Sequence, residues 1–181
     1  MFKFVAVLCC CLPLMVKAQI FAPIATDRLG VTMNIVMLSP PPESKTALLV
    51  IPGTDGAEGR IMLRGSLAPE RGAMQYLYAN ADLFEKANIT LVATGCPTDE
   101  WKSYGMCMDA YRKSDTYARD FSKIIQFLKE TFQFEKFYVF GHSSGGISTR
   151  WLSVKIPSQL SGIINSSIMN GTAGSLANST L

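Results

Sequence analysis

FYVFGHSSGGIS, residues 137–148, is the segment from which the fold class is predicted. It begins with FYVF, residues 137–140, a continuous apolar run typical of a strand buried on both faces of a parallel sheet. GHSSG, residues 141–145, follows at once and matches the pattern G-x-S-x-G. The residues after it predict a helix that ends before Pro157. A strand, a sharp turn and a helix in this order are predicted to raise the Oγ atom of Ser143 above the sheet.

The residues of this pattern have separate predicted roles. Gly141 and Gly145 are needed where the entering strand and the leaving helix crowd together, because a side chain at either place would clash. Ser143 is the candidate nucleophile of an acyl transfer, and the backbone N–H of Ser144 is a candidate donor to the oxyanion that forms. An ordinary glycine-rich turn with an unreactive serine is the alternative.

A second loop agrees with this interpretation. ALLVI, residues 47–51, predicts another buried strand, and PGTDGAEG, residues 52–59, follows it. Where a G-x-S-x-G elbow is catalytic, the loop after this strand donates the second oxyanion N–H. We expect that donor to be Thr54, with Asp55 as the second choice. A phosphate-cradling loop is the alternative, but the Gly-Lys-Ser/Thr ending of a nucleotide site is missing.

Strands and helices alternate along the rest of the chain. Residues 114–132 predict the clearest helix, with one apolar stripe and Ser114 as its cap, and part of 70–87 predicts another. The alternation predicts an α/β fold of three layers around a mostly parallel sheet, with ligands bound beyond the carboxyl ends of the strands. The further predicted strands are a half-buried one over 31–38, a buried one over 89–93 and one over 162–169.

On these residues the chain resembles the α/β-hydrolase superfamily, over roughly residues 31–170. The resemblance rests on GHSSG at 141–145, on the PGT loop at 52–54 and on the strands around them. It points to esterases, lipases or dienelactone-hydrolase-like enzymes. It implies a serine hydrolase with a small-molecule acyl substrate, an ester or a related acyl bond, and with no metal or organic cofactor.

The chain departs from the family pattern after Ser143. The family order is nucleophile, acid, histidine, yet no Asp or Glu follows Ser143, and the single histidine is His142 inside the elbow. We expect its side chain to point away from the serine Oγ. Residues 19–181 are therefore expected to be the N-terminal portion of the domain, with the last strands missing and the triad incomplete. A non-catalytic binding protein on the same fold, or an inactive fragment, is the alternative.

The first 18 residues are typical of a signal peptide. Lys3 precedes an apolar run over 4–16 that is too short for a membrane-spanning helix, and VKA, residues 16–18, fits a cleavage site before Gln19. We therefore expect a secreted or periplasmic protein that has left the membrane after cleavage. A retained membrane anchor is the alternative.

Composition sets further bounds. The length of 181 residues and a hydrophobic content of 48% fit one domain, and without a basic stripe the net charge of +3 does not predict nucleic-acid binding. An oligomeric state is not indicated.

Cleavage of the signal peptide leaves two cysteines, Cys96 and Cys107, which in an exported chain predict one disulfide; two free buried thiols are the alternative. Between them, Trp101 and Tyr104 are candidates to contact an acyl group or to pack within their own loop.

Overall fold

The computed structural model describes residues 19–38, 40–41, 43–53, 77, 79–100 and 107–166. Several predictions from the sequence lie outside these ranges. They are the signal peptide at 1–18, the oxyanion candidates Thr54 and Asp55, the loop aromatics Trp101 and Tyr104, and the segment 167–181.

Six strands form one mostly parallel sheet in the order β1-β2-β4-β3-β5-β6. The pairs β1–β2 and β2–β4 are antiparallel, and the pairs β3–β4, β3–β5 and β5–β6 are parallel. Because β2 alone runs in reverse, the carboxyl ends of all the other strands meet at one edge of the sheet. The bounds are β1 Gln19–Ala25, β2 Thr32–Leu38, β3 Thr46–Ile51, β4 Ile89–Pro97, β5 Lys136–His142 and β6 Gly162–Ser166.

The helices connect the strands as the sequence predicts. The long helix has Ser114 as its N-cap, and the Ser114 Oγ accepts a hydrogen bond of 3.0 Å from the N–H of Tyr117. The helix predicted within 70–87 is present over Ala81–Lys86, and the one after Ser143 ends before Pro157. The bounds are α1 Ala81–Lys86, α2 Asp109–Arg112, α3 Asp115–Phe132 and α4 Ser144–Lys155, followed by a 3-10 helix at Pro157–Gln159.

Two apolar clusters, one on each face of the sheet, produce three layers. On one face α3 and α4 pack against the sheet, and on the other face α1 does. Phe121, Ile124 and Leu128 of α3 are fully buried, and each such side chain contributes about 1.5–3 kcal/mol relative to an exposed one. The predicted three-layer α/β architecture is therefore confirmed. In the part of the chain that the structure describes, no helix has the length and apolar character needed to cross a membrane.

Two strands differ from their predictions. Strand β2, predicted as half-buried, is buried on both faces over residues 33–38 because it lies between β1 and β4 with helices on either side. Strand β4, predicted to end at 93, continues to Pro97 because its last residues pair with β2, where Ile35 is opposite Thr94 and Met33 opposite Pro97. Strand β1 was not predicted at all.

Candidate active site

Ser143 lies at the turn between β5 and α4 in a strained backbone conformation. Its φ is 54° and its ψ is −121°. A positive φ is unfavourable for a residue with a side chain and costs about 1–3 kcal/mol, so the surrounding structure must hold it. The Ser143 N–H donates to the carbonyl of Ser166 on β6 at 3.1 Å, and the Ser143 carbonyl accepts from the N–H of Gly146 at 3.0 Å. Both neighbours of the turn, β6 and α4, therefore fix the serine backbone.

The two glycines of the pattern lie where backbones touch. A Cβ atom at Gly141 would lie 2.6 Å from both the carbonyl carbon of Gly145 and the Cγ2 of Thr149. A Cβ at Gly145 would collide with the carbonyl oxygen of Ile51, the last residue of β3. The crowding thus involves β3 as well as the strand and helix predicted, because the first turn of α4 passes directly over the end of β3.

The segment after β3 reaches the serine. A Cβ atom at Gly53 would lie 2.9 Å from the Cβ of Ser143 and 3.5 Å from its Oγ. Glycine therefore allows the start of the loop at 52–59 to approach the serine hydroxyl closely. Thr54, the next residue, lies outside the described residues, as does Asp55.

Ser144 opens helix α4 with two polar groups at the elbow. Its backbone N–H belongs to the first turn, where N–H groups lack a partner within the helix and the helix dipole is positive. The residue is 5% exposed, and its Oγ has no hydrogen-bond partner among the described residues. A developing negative charge beside the Ser143 Oγ would meet an N–H donor at this position.

His142 is directed to β6. Its Nδ1 is 3.3 Å from the Oγ of Ser166. Within the described ranges no side chain forms a hydrogen bond with the Ser143 Oγ, and no group of three or more His, Cys, Asp or Glu is placed to hold a metal ion. The described residues bring together a strained serine and the backbone N–H of Ser144, and they do not bring a base to the serine.

A second polar group, which we call the Arg28 cluster, was missed by the sequence reasoning. It comprises Arg28, Asp99, Glu100, Tyr111 and Asp120. The Arg28 Nη2 is 2.8 Å from Asp120 and 3.1 Å from Asp99, and its Nη1 is 3.9 Å from Glu100. The Tyr111 hydroxyl donates to Asp120 Oδ2 at 2.6 Å, and the guanidinium lies 5.6 Å from the centre of the Tyr111 ring. The contacts join residues up to 92 positions apart, so no local pattern could reveal them.

Burial raises the pKa values of two carboxyl groups in this cluster and of the Tyr111 hydroxyl. Desolvation raises the pKa of Asp120, although the hydrogen bond from Tyr111 and the charge of Arg28 oppose the change. Desolvation, followed by the charge of Asp99, also raises the pKa of Glu100. Desolvation and the bond to Asp120 raise the pKa of Tyr111. One guanidinium therefore offsets three carboxylates only in part.

A disulfide lies beside the Arg28 cluster. In the structure Cys96 and Cys107 are joined by an S–S bond of 2.08 Å, with a Cα–Cα distance of 5.4 Å. Both residues are buried. The bond connects the end of β4 to the residues just before α2, so it fixes the position of α2 against the sheet.

Comparison with known proteins agrees with this architecture. Residues 106–155, which contain α2, α3 and the serine turn, match the family model "Alpha/beta hydrolase of unknown function (DUF915)". A carboxyl esterase from Bacillus coagulans is similar in structure with a TM-score of 0.56 at 18% identity, over 82% of this chain and 44% of that protein. No curated protein sequence matches the chain.

Two further structures extend the comparison. Est1E from Butyrivibrio proteoclasticus gives a TM-score of 0.52 at 15% identity, over 79% of this chain and 48% of Est1E. A dienelactone hydrolase from Anabaena variabilis gives 0.54 at 13% identity, over 82% and 62% respectively. The chain thus spans about half the length of the esterases it resembles. The fold that they share with it is that of the α/β-hydrolases.

Proposed function

We propose that this chain, which has the α/β-hydrolase fold, carries the nucleophile of a serine hydrolase acting on carboxylic esters or related acyl bonds. The observation that carries the proposal is the backbone of Ser143, held at φ 54° and ψ −121° in the turn between β5 and α4. This ψ lies far from the left-handed helical value of 30° found at Gln133. The segment after β3 approaches within a few ångströms of that serine. Strain of this kind persists only where the fold enforces it, and it is concentrated at functional sites.

The proposed reaction begins at Ser143. Its Oγ attacks the acyl carbonyl carbon while a base takes the hydroxyl proton, and the carbonyl oxygen becomes an oxyanion. The N–H of Ser144 donates to this oxyanion, and we assign the second donor to Thr54. The tetrahedral intermediate then expels the alcohol, which takes the proton, and leaves an acyl-serine ester. Water, deprotonated by the same base, hydrolyses that ester and releases the acid.

The base is a requirement of the proposal. A neutral serine hydroxyl is a weak nucleophile at neutral pH, so a histidine oriented by an acid normally activates it. His142, the single histidine of the sequence, contacts Ser166 instead. The proposal therefore assigns the base and its acid to residues that these 181 positions do not supply.

The test compares four proteins: the 181-residue chain, its full-length gene product and the Ser143→Ala variant of each. Hydrolysis of p-nitrophenyl acetate and labelling by a fluorophosphonate probe are measured. We expect the full-length protein to be active, and Ser143→Ala to lower its turnover by up to about a million-fold, the loss known when a triad serine is removed. Ser158→Ala changes an exposed serine and is the matched control.

The outcomes separate the parts of the proposal. Labelling that survives Ser143→Ala would exclude this serine as the nucleophile. Turnover by the 181-residue chain that depends on Ser143 would show that a residue already present, His142 included, serves as the base. A full-length protein that neither turns over ester nor takes the label would favour the non-catalytic alternative.

A further inference from the structure

The corner between α2 and α3, residues 112–115, contacts one face of α4 at three levels. The Arg112 Nη1 donates to the Oγ of Ser148 at 3.1 Å. One turn further along α4, the Trp151 Nε1 donates to the backbone carbonyl of Ser114 at 2.9 Å. Another turn on, the Lys155 Nζ is 2.8 Å from Asp115. Positions three and four apart lie on the same side of a helix, so the three contacts form one continuous line.

The contacts differ in strength because they differ in burial. Arg112 is 1% exposed and Ser148 is fully buried, whereas the side chains of Lys155 and Asp115 are 36% and 67% exposed. An exposed ion pair contributes little because water screens it. A hydrogen bond from a buried guanidinium is stronger and more directional, because its planar fork holds its partner at a fixed place. The Arg112–Ser148 contact is therefore the firm one.

The firm contact is also the one next to the elbow. Ser148 follows Ser144 by a little more than one helical turn. Beside this face, Gly145 passes over the end of β3, and Thr149 donates to the carbonyl of Gly146 at 2.9 Å and contacts Asn165 of β6. The first two turns of α4 are thus held between the strands and Arg112.

Arg112 itself is fixed by the elements behind it. The disulfide ends at Cys107, just before α2. The neighbouring Tyr111 donates to Asp120 of α3, and the Ser114 Oγ donates to the carbonyl of Tyr111 at 2.7 Å. The short helix α2 is therefore held against β4 and α3. These contacts fix the position from which Arg112 reaches α4.

We propose that Arg112 is a positioning residue for the reaction of Ser143, acting through Ser148 to fix the first turns of α4. The inference rests on the proposed function, because the group that it positions is the Ser144 N–H beside the serine Oγ. Reacting groups displaced by about 1 Å lose on the order of a hundredfold in rate. Loss of the Arg112–Ser148 bond therefore affects turnover more than substrate binding.

The experiment uses the full-length protein with three single variants. Ser148→Ala removes the acceptor, Arg112→Met removes the guanidinium, and Asp115→Asn weakens the outer contact as the matched control. Rates for p-nitrophenyl acetate are referred to sites counted by fluorophosphonate titration, so unfolded protein does not contribute. Since replacement of a buried arginine can prevent folding, Ser148→Ala is the deciding variant.

We expect Ser148→Ala and Arg112→Met to lower kcat per labelled site by roughly tenfold to a hundredfold with KM within about twofold. The Asp115→Asn variant keeps kcat within about twofold because its ion pair is exposed. The Ser148→Ala/Arg112→Met double variant is no slower than the slower single one, because both remove the same bond. A kcat per labelled site that is unchanged in Ser148→Ala, or losses that multiply in the double variant, would overturn the proposal.

A second readout does not require catalysis. Hydrogen exchange of the α4 amides is compared between Ser148→Ala and Asp115→Asn. Faster exchange in the first two turns in Ser148→Ala alone supports positioning by Arg112, and equal exchange in the two variants overturns it. If the wild type shows no Ser143-dependent labelling, the proposed function fails while the exchange data still decide whether Arg112 holds the helix.

Discussion

The serine turn and the Arg28 cluster lie along the same edge of the sheet, yet they are built in opposite ways. Ser143 follows the end of β5, and Arg28 and Glu100 follow the ends of β1 and β4. At the turn, strain is held in the backbone, with a positive φ at Ser143 and glycines at the points of contact. At the cluster, the unfavourable term is electrostatic, because one guanidinium faces three carboxylates.

The two regions carry different physical signals, and only one of the two points to a functional site. Displaced pKa values often mark functional sites, but ion-pair networks that hold a structure together displace them as well. The raised pKa values of Glu100, Tyr111 and Asp120 belong to a network that joins the β1–β2 turn, the end of β4, α2 and α3. We interpret that network as structural. A positive φ by itself does not mark the site either, because Asn88 and Gln133 also have one. We therefore take as the signal of function the combination at Ser143 of φ 54° and ψ −121° with the close approach of the segment after β3.

The largest expected effect on stability belongs to the serine turn. Gly145→Ala should lower the free energy of unfolding by about 3 kcal/mol or more, because its Cβ meets the Ile51 backbone, which cannot move aside as a side chain can. Chemical denaturation measures the loss. Gly30→Ala is the matched control. Gly30 has a φ of 72° but open space around it, so only about 1–2 kcal/mol for the left-handed backbone is expected. Equal losses would mean that crowding does not govern the turn.

The next effect concerns the disulfide beside the Arg28 cluster. Replacing both Cys96 and Cys107 by alanine should lower the free energy of unfolding by about 3 kcal/mol, the value for closing a loop of this length. Denaturation of wild type and variant measures it. Intact-mass analysis after alkylation, with and without reductant, tests the bond itself. Two alkylated thiols in unreduced, freshly purified protein would contradict the bridge.

A smaller effect is expected at Ser114, which lies between the two regions. Ser114→Ala removes the cap of α3 and should cost about 1 kcal/mol of stability. Thermal or urea unfolding measures the change. Ser122→Ala serves as control, because the Ser122 hydroxyl only donates to the Ala118 carbonyl within the same helix and a change within about 0.5 kcal/mol is expected. Equal losses in the two variants would argue against a specific capping effect.

The smallest effect is a pH dependence that belongs to the Arg28 cluster. Because the pKa of Asp120 is raised in the folded protein, the folded state binds the proton more strongly than the unfolded chain does. This group therefore stabilises the fold as pH falls through its raised pKa toward the ordinary value of 3.8, and the gain is lost as pH rises again. Asp120→Asn removes the contribution.

Unfolding free energies of wild type and Asp120→Asn are to be compared between neutral pH and the ordinary pKa of the carboxyl. The wild type should gain stability relative to the variant as the pH falls. A constant difference across this range, or a difference of opposite sign, would show that burial does not dominate the charge of Arg28 at this site.

The elements that the sequence predicted correctly depend on local patterns. The long helix from Asp115 to Phe132 has a regular apolar stripe and a serine cap, and both are visible in a short window. The G-x-S-x-G stretch and its neighbours likewise predict a strand, a turn and a helix from residues close together in the sequence. The elements that were missed depend on partners far along the chain. The end of β4 is a strand because β2 lies beside it, and β1 contains Pro23, which weakens any local strand signal.

Dependence on distant partners also limits how much of the candidate site the sequence can predict. Gly141 and Gly145 were predicted as points of crowding from the turn alone, whereas the contact of Gly145 with Ile51 requires the neighbouring strand β3. The Arg28 cluster and the Arg112–Ser148 bond unite residues from separate elements, and none of these residues stands in a recognisable motif. Their contacts with one another arise only when the sheet and the helices have packed together.

The central place of β3 sets an order of events during synthesis. Thr46 of β3 pairs with Ile89 of β4 on one side and with Lys136 of β5 on the other, so one partner leaves the ribosome well before the second. At roughly 5–20 residues per second, the nascent chain waits a few seconds between the two. During that interval the apolar ALLVI strand has one open edge, which can pair with another chain. Protection by a chaperone is therefore most useful while the chain between β4 and β5 is being made.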